Sequence, residues 1–272
     1  MKNKILETEL CEKQVGVWYL GQEGFLFKTK NSYLAVDPYL SDYVDRNCCE
    51  FVRWKRLYEP PMTPKDLAFV NVVLCTHSHY DHADPDTLSV IAANNPNTKF
   101  VIPAPCVNTV AEYGIKRESI IPAVAFEEIE IDGFKIIPVP SAHEELHTDE
   151  NGNYFEVGYI IQSNDQTFFH AGDMCIYDGL IESLKKFDIN IAFLPINGRD
   201  YFRNNADIIG NFNCEEAVLL AKEIGAKILV PMHHDLYEVN CVSVENFVGA
   251  IKKYDTFRRY HIFSPGELYV SV

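Results

Sequence analysis

The sequence predicts an α/β protein of two mixed β-sheets with helices on their outer faces. Three observations carry this reading. Short apolar, strand-like runs come first, and helix-length and strand-length segments alternate later, the order expected of mixed sheets covered by helices. The chain has 272 residues, 47% of them hydrophobic, which suffices for a sizeable core; one domain over 1–272 is the expectation. No apolar run approaches the ~18 residues of a membrane span, so no membrane association is expected.

Taken in order, residues 14–20 and 25–28 form two strands around the Gly-rich turn Gly21-Gln22-Glu23-Gly24. After the turn Asn31-Ser32, residues 33–38 make a third strand that ends at Asp37-Pro38. Asp37 has two readings: a turn cap, or a hydrogen-bond partner of a metal-ligating histidine. Residues 39–64 break the pattern as an insertion. Arg46, Arg53, Lys55 and Arg56 interleave there with Tyr43, Phe51, Trp54 and Tyr58, before Pro60, Pro61 and Pro64. This segment reads either as a solvated connection with a short helix, or as a lid or homo-oligomer contact beside a site.

Residues 70–75 follow as a buried strand, rich in β-branched side chains. A helix over 85–94 closes at Asn95-Pro96-Asn97. Residues 99–103 are a strand, and a short helix from 104 stops at Gly114. Residues 120–131 alternate loosely, Asp132-Gly133 is a hairpin turn, and 134–139 is a strand. Strands recur at 155–163 and 167–170. Helices over 177–187, 214–224 and 244–254 then alternate with strands over 189–195 and 227–231, with terminal strands near 260 and 269.

The chemistry concentrates where the strand at 70–75 ends, in Thr76-His77-Ser78-His79-Tyr80-Asp81-His82-Ala83-Asp84. His77, His79, Asp81 and His82 place four potential ligands within six residues. In an extended chain, side chains two apart share a face, so His77 and His79 can hold one divalent ion. Asp84-Pro85 has the chemistry of a helix N-cap and first turn. A strand end, a ligand-rich loop and a helix start make a rigid seat for a metal.

Three further strand ends run into ligand types: His143 in Ser141-Ala142-His143-Glu144, Asp173 in Ala171-Gly172-Asp173, and His233 in Met232-His233-His234-Asp235. Ligands at strand ends from distant parts of a chain can converge on one rim. His147 and His261 read as structural, and His170 as buried near Asp173. Arg199, in Asn197-Gly198-Arg199-Asp200, leaves another core strand. Its planar fork suits a substrate phosphate or carboxylate; the plainer reading is an ion pair with Asp200 or Asp207.

Composition narrows the function classes. The net charge of −15 argues against nucleic acid as a partner, since phosphate neutralisation needs basic surface. It leaves room for a small anionic substrate. The N-terminus lacks the apolar core of a signal peptide, so the expected location is cytoplasmic. Eight scattered cysteines without a Cys-x-x-Cys pair read as reduced thiols, Cys75 and Cys175 as core residues.

The His-x-His-x-Asp-His motif resembles that of the metallo-β-lactamase superfamily of hydrolases. The resemblance implies a four-layer αββα sandwich with two metals. It would assign His77, His79 and His143 to the first metal, Asp81, His82 and His233 to the second, and Asp173 to a bridge. His233 is preferred to His234 because the family places a ligand two residues after Pro231. The mixed donor set suits zinc or manganese, with iron a further candidate. Such cations activate a water for attack on a carbonyl or phosphoryl group, and Asp81 would be the catalytic residue that orients it. Within the superfamily, Gly16–Gly21, Thr76–Asp84, Asn197-Gly198-Arg199 and Val230–Leu236 resemble the L-ascorbate-6-phosphate lactonase group, although His143 and residues 143–157 depart from it. The resulting expectation is a hydrolase of a small anionic ester, first a sugar-phosphate lactone, with Arg199 and Asn197 binding substrate. A small-molecule phosphodiesterase and a non-catalytic metal scaffold are the alternatives.

Overall fold

The computed structural model describes residues 1–50 and 52–272; Phe51, one of the aromatics of the 39–64 segment, lies outside the described residues. The first sheet takes its strands from the first half of the chain: β1 (Val15–Gly21), β2 (Gly24–Lys28), β3 (Tyr33–Val36), β4 (Val72–Leu74), β5 (Lys99–Pro103) and β6 (Ile120–Ala123). The second holds β7 (Ile129–Ile131), β8 (Phe134–Pro140), β9 (Val157–Ser163), β10 (Gln166–His170), β11 (Ile191–Pro195), β12 (Ile228–Met232) and β13 (Arg259–Tyr260). The chain then returns, and β14 (Leu268–Ser271) pairs antiparallel with β1, making seven strands in each sheet.

Both sheets follow one plan. β1–β3 and β7–β10 are antiparallel meanders, joined by tight turns except between β8 and β9, where the long loop 141–156 intervenes, whereas β3–β6 and β10–β13 pair in parallel. Parallel neighbours need long crossovers, which helices supply. Pro85–Asn94 and Val107–Ala111 serve the first sheet; Leu180–Leu184, Cys214–Glu223 and Val244–Tyr254 serve the second. The caps explain where these helices begin. Asp84 accepts from Asp86 N ahead of Pro85, and Asn213 with Glu216 forms a capping box.

Period-two alternation places the layers. Val15, Val17 and Tyr19 of β1 face the core between the sheets, while Trp18 and Leu20 face Leu88, Ile91 and Val110 of the outer helices. Across the inter-sheet core, Phe25 meets Phe193 with ring centroids 4.5 Å apart, and Phe27 meets Phe168 at 5.1 Å. Phe25→Ala would empty one of these contacts at a cost of roughly 3–5 kcal/mol. The sandwich with helices outside is the arrangement the element order predicts.

Three details differ. Residues 120–131, which read as one loose strand, split into β6 and β7 in different sheets, because the chain crosses between the sheets there. The helix expected over 177–187 is only Leu180–Leu184, since Gly179 adopts φ 96° at its N-cap. A helix at Lys2–Glu7 went unpredicted. The buried Lys28 secures its C-terminal end, donating through Nζ to the carbonyls of Ile5, Leu6 and Thr8 at 2.6, 3.1 and 2.7 Å. Among the described residues, no helix is long and apolar enough to cross a membrane.

The 39–64 segment carries a short helix, Tyr43–Asn47, and docks on the loop after β12. Leu57 N donates to Leu236 O at 2.8 Å, the Tyr39 and Tyr237 hydroxyls lie 2.6 Å apart, and the Arg56 guanidinium stacks 4.3 Å over the Tyr39 ring. Buried Tyr39, Val44, Leu236 and Tyr237 form a small core of their own, against which Trp54 and Tyr58 pack. The segment thereby flanks the rim at which β4, β8, β10 and β12 end.

Candidate metal centre

The Thr76–Asp84 loop is shaped by one buried carboxylate. Asp37, in the left-handed region at φ 41°, accepts from Thr76 N at 2.8 Å and from Thr76 Oγ1 at 2.6 Å. Its Oδ2 also lies 2.8 Å from His82 Nδ1. Of its two readings, the histidine partner is therefore the observed one. The loop then doubles back, as His82 N and Ala83 N both donate to His79 O, at 3.0 and 2.8 Å. This fold-back, rather than an extended strand, brings Asp81 and His82 beside His77 and His79.

Three more strand ends complete the cluster. β8 delivers His143. β10 delivers Asp173 after Gly172, whose φ of 61° and close approach to Thr76 leave no room for a side chain: an added Cβ would sit 2.7 Å from Thr76 Cβ. β12 delivers His233, which turns inward from φ 54°. Potential ligand atoms of His77, His79, His143 and Asp173 lie within 4.8 Å of one another, as do those of Asp81, His82 and His233. Asp173 faces both groups. Its Oδ2 is 3.2 Å from His143 Nε2 and 3.8 Å from His77 Nε2, and its Oδ1 is 3.4 Å from His233 Nε2. All seven expected ligands thus converge. His234 is buried but joins neither group, which distinguishes it from His233.

The donor set fits divalent cations. His82 Nε2 is buried with no hydrogen-bond partner, and lies 3.6 Å from both Asp81 Oδ2 and Asp173 Oδ2. A donor atom aimed between two carboxylates, with the opposite ring nitrogen held by Asp37, is the geometry of a metal-ligating histidine. Burial opposes a charge on His143 and, despite Asp173, lowers its pKa to about 4. Burial, with His82 and His79 adding to it, holds His77 well below its ordinary value. Both imidazoles are therefore neutral ligands at pH 7. Burial also works against charge on His82, but Asp81, Asp173 and Asp37 outweigh it and raise its pKa well above normal. Desolvation disfavours the Asp173 carboxylate, yet His233, His82 and His143 hold it well below the usual range.

Two neighbours come from the β1–β2 turn, which showed no sign of a role. Gln22, at φ 57°, places Nε2 2.8 Å from Asp81 Oδ2 and 3.1 Å from His233 Nε2. Glu23 is fully buried beside His82. Asn211 was equally illegible; its Nδ2 donates to Asp173 Oδ1 at 2.8 Å and to Asn197 Oδ1 at 3.1 Å. A polar turn between apolar strands was the only available signal, and it does not say which way such a turn points. His170, also buried, ties this region together through Nε2 to Glu23 O at 2.8 Å.

Of the two expected substrate-binding residues, neither lines the cavity over the cluster, and Arg199 lines a neighbouring one that shares His143. Asn197 is buried, and its Nδ2 donates to Asn240 Oδ1 at 3.1 Å, so it supports Asn211 and Asn240 rather than facing solvent. Arg199 gives its fork to Glu216, with Nη1 to Oε2 at 2.8 Å and Nη2 to Oε1 at 2.7 Å, and Nη1 also donates to Asn211 O. Asp200, once offered as its partner, pairs with Arg203 instead. Of the remaining histidines, His147 lies 3.5 Å from Glu156 and His261 2.9 Å from Glu267, and neither joins the cluster.

The cluster floors a cavity of ≈ 490 Å³. Its walls are largely aromatic and aliphatic, with Val44 and Trp54 from the 39–64 segment, Tyr80, Tyr113, Ile208 and Tyr237. Among the described residues, no lysine or arginine lines it, and Asp207 adds a further acid.

Comparison with known proteins agrees with this fold. The beta-lactamase superfamily domain matches residues 33–234. A UPF0173 metal-dependent hydrolase of Saccharolobus solfataricus is 26% identical over 239 residues, covering 86% of this chain and 90% of the relative. Among solved structures, a metallo hydrolase of Ignicoccus hospitalis superposes with a TM-score of 0.71 at 19% identity, over 95% of this chain and 99% of that one. An isothiocyanate hydrolase from Delia radicum gut bacteria does so with a TM-score of 0.73 at 17% identity, over 93% and 98%.

Proposed function

This chain belongs to the beta-lactamase superfamily and is a metal-dependent hydrolase of that fold, and we propose that it uses two divalent cations to hydrolyse a small lactone or ester whose uncharged, apolar part enters the aromatic cavity. The observation that carries this reading is the pairing of a seven-residue donor set with a cavity whose walls are largely aromatic and aliphatic and, among the described residues, carry no lysine or arginine. A phosphate in that cavity would find Asp207 and no fork to bind it, which speaks against the phosphorylated lactone and the small phosphodiester expected earlier.

Two bound cations would supply a water acidified toward neutral pH and polarisation of the scissile group. The chain supplies the rest. His77, His79 and His143 would hold one cation, Asp81, His82 and His233 the other, with Asp173 between. Asp37 accepts the His82 Nδ1 proton, so Nε2 is left free as the donor atom. Asn211 holds one oxygen of Asp173. Burial alone would raise Asp81, but His82 and His233 keep it ionised below its ordinary range. Its cavity edge is the acceptor that can orient an attacking water. Trp54, Tyr113 and Tyr237 exclude solvent and select an apolar substituent.

The test is a panel of lactones and esters, each plain and phosphorylated, and bis-p-nitrophenyl phosphate, assayed on protein with measured metal content. Plain aryl or alkyl lactones should give the highest kcat/KM, and Trp54→Ala should raise KM for those with the larger substituent. Faster turnover of the phosphorylated members, or of the phosphodiester, would refute the substrate class.

A further inference from the structure

Glu23 is fully buried, and neither of its carboxyl oxygens has a hydrogen-bond partner among the described residues. Burial, with Asp173 adding to it, pushes its pKa well above the ordinary carboxylate range, and such a group is ionised only when it is paired or bound to a metal. Its surroundings offer no ordinary remedy. His82 Nδ1 lies 3.8 Å from Glu23 Oε2, but that atom is already engaged by Asp37 at 2.8 Å. The other acidic neighbours, Asp173 and Asp37, sharpen the repulsion.

The position of Glu23 is imposed by the backbone. His170 Nε2 lies 2.8 Å from its carbonyl oxygen. The next residue, Gly24, packs so closely that an added Cβ would meet Gly21 O at 3.0 Å and Asp37 O at 3.1 Å. The turn is therefore clamped against Asp37, and the side chain points into the centre. There, a Glu23 oxygen lies within 4.8 Å of potential ligand atoms of both Asp173 and His233.

We propose that Glu23 is a further ligand of the second cation, the one also served by Asp81, His82 and His233. The inference rests on the two-cation reading above. It gives that position an oxygen-rich donor set, with Asp81, Asp173 and Glu23 beside two imidazoles. The first position, with three imidazoles and the shared Asp173, is nitrogen-rich. Carboxylate oxygen suits harder ions and imidazole suits zinc, so the two positions differ in preference: the second favours manganese, the first accepts zinc.

The test compares wild-type protein, Glu23→Gln and Glu23→Asp after metal stripping and reloading with Mn²⁺, Zn²⁺ or Co²⁺. Stoichiometry is read by elemental analysis, affinity by competition with a chelator, and coordination by the visible spectrum of the second Co²⁺ equivalent. Glu23→Gln should bind the first equivalent as wild type does. Its second Mn²⁺ should weaken by roughly 10–100-fold, Zn²⁺ at that position should weaken less, and the Co²⁺ band should change. Thermal unfolding of the metal-free protein checks the fold. If Glu23→Gln does not fold, Glu23→Asp, which keeps the charge but loses reach, should show the same selective loss. Wild-type protein that takes up two equivalents, with unchanged second-equivalent affinity and spectrum in the variants, overturns this inference alone. Wild-type protein that takes up only one overturns the two-cation reading and this inference with it.

Discussion

Replacing Asp37 by Asn changes the one oxygen behind the metal centre that accepts from both Thr76 Oγ1 and His82 Nδ1. The native carboxylate accepts from Thr76 N, from Thr76 Oγ1 and from His82 Nδ1, all within 2.6–2.8 Å. An amide of the same shape can keep the Thr76 N bond through its oxygen, but it turns an NH₂ group toward His82. His82 Nδ1 must then give up its proton to accept, and the proton moves to Nε2, the atom needed for a metal. Hydrogen bonds to charged groups contribute roughly 1.5–3 kcal/mol, and loss of such a partner typically costs 10–100-fold in metal affinity. The second equivalent should therefore bind ~10–100-fold more weakly in Asp37→Asn, and the first should weaken less, because His77 Nδ1 reaches Asp37 only through Thr76 Oγ1, 3.0 Å away. Chelator competition on the two equivalents reads this directly, with thermal unfolding of the metal-free protein as the control for folding. Unchanged affinity for both equivalents in a folded variant would refute the tautomer argument.

Other perturbations reach different parts of the structure. His82→Ala or His233→Ala should lose one metal and most turnover with the fold intact; full metal content in both would remove them from the ligand set. Arg199→Ala breaks a partly exposed ion pair with Glu216, so it should cost at most ~1 kcal/mol of stability and leave substrate selectivity unmoved; selective loss on phosphorylated substrates would restore the anion-binding reading. Burial lowers His143 to about 4, whereas an unfolded imidazole protonates near 6.5, so the unfolded chain takes up the extra proton in that window. Metal-free protein should thus lose stability as pH falls from 6.5 toward 4, by roughly 3 kcal/mol through His143, at 1.36 kcal/mol per tenfold. His82, raised well above normal, acts oppositely: its contribution is present below the unfolded value and is lost only as pH rises through its raised folded value. Denaturant melts of wild type and His143→Gln across this range isolate the His143 part, and equal slopes would refute it.

Much of the centre was legible because its information is local. His77, His79, Asp81 and His82 are close in sequence and follow a strand, and the strand ends together with the superfamily resemblance singled out His143, Asp173 and His233 without any contact being known. Strand and helix spacing likewise predicted the layers, since alternation records which faces are buried. Other features depend on residues brought together from far apart. The same polar turn, Gln22-Glu23, could face solvent or the metals, and only the packing of β1 and β2 against the second sheet turns it inward. Arg199 carried the chemistry of an anion fork, but which carboxylate meets it depends on where the helix Cys214–Glu223 docks. The cavity draws its walls from the 39–64 segment, the rim loops and residues 207–209. The sequence by itself therefore determined the layers, and with the family resemblance it pointed to the seven side chains that the fold brings together. Tertiary structure alone decided the direction of Glu23, the occupation of Arg199 by Glu216 and the apolar character of the cavity, because each depends on surfaces that meet only after the sheets have closed.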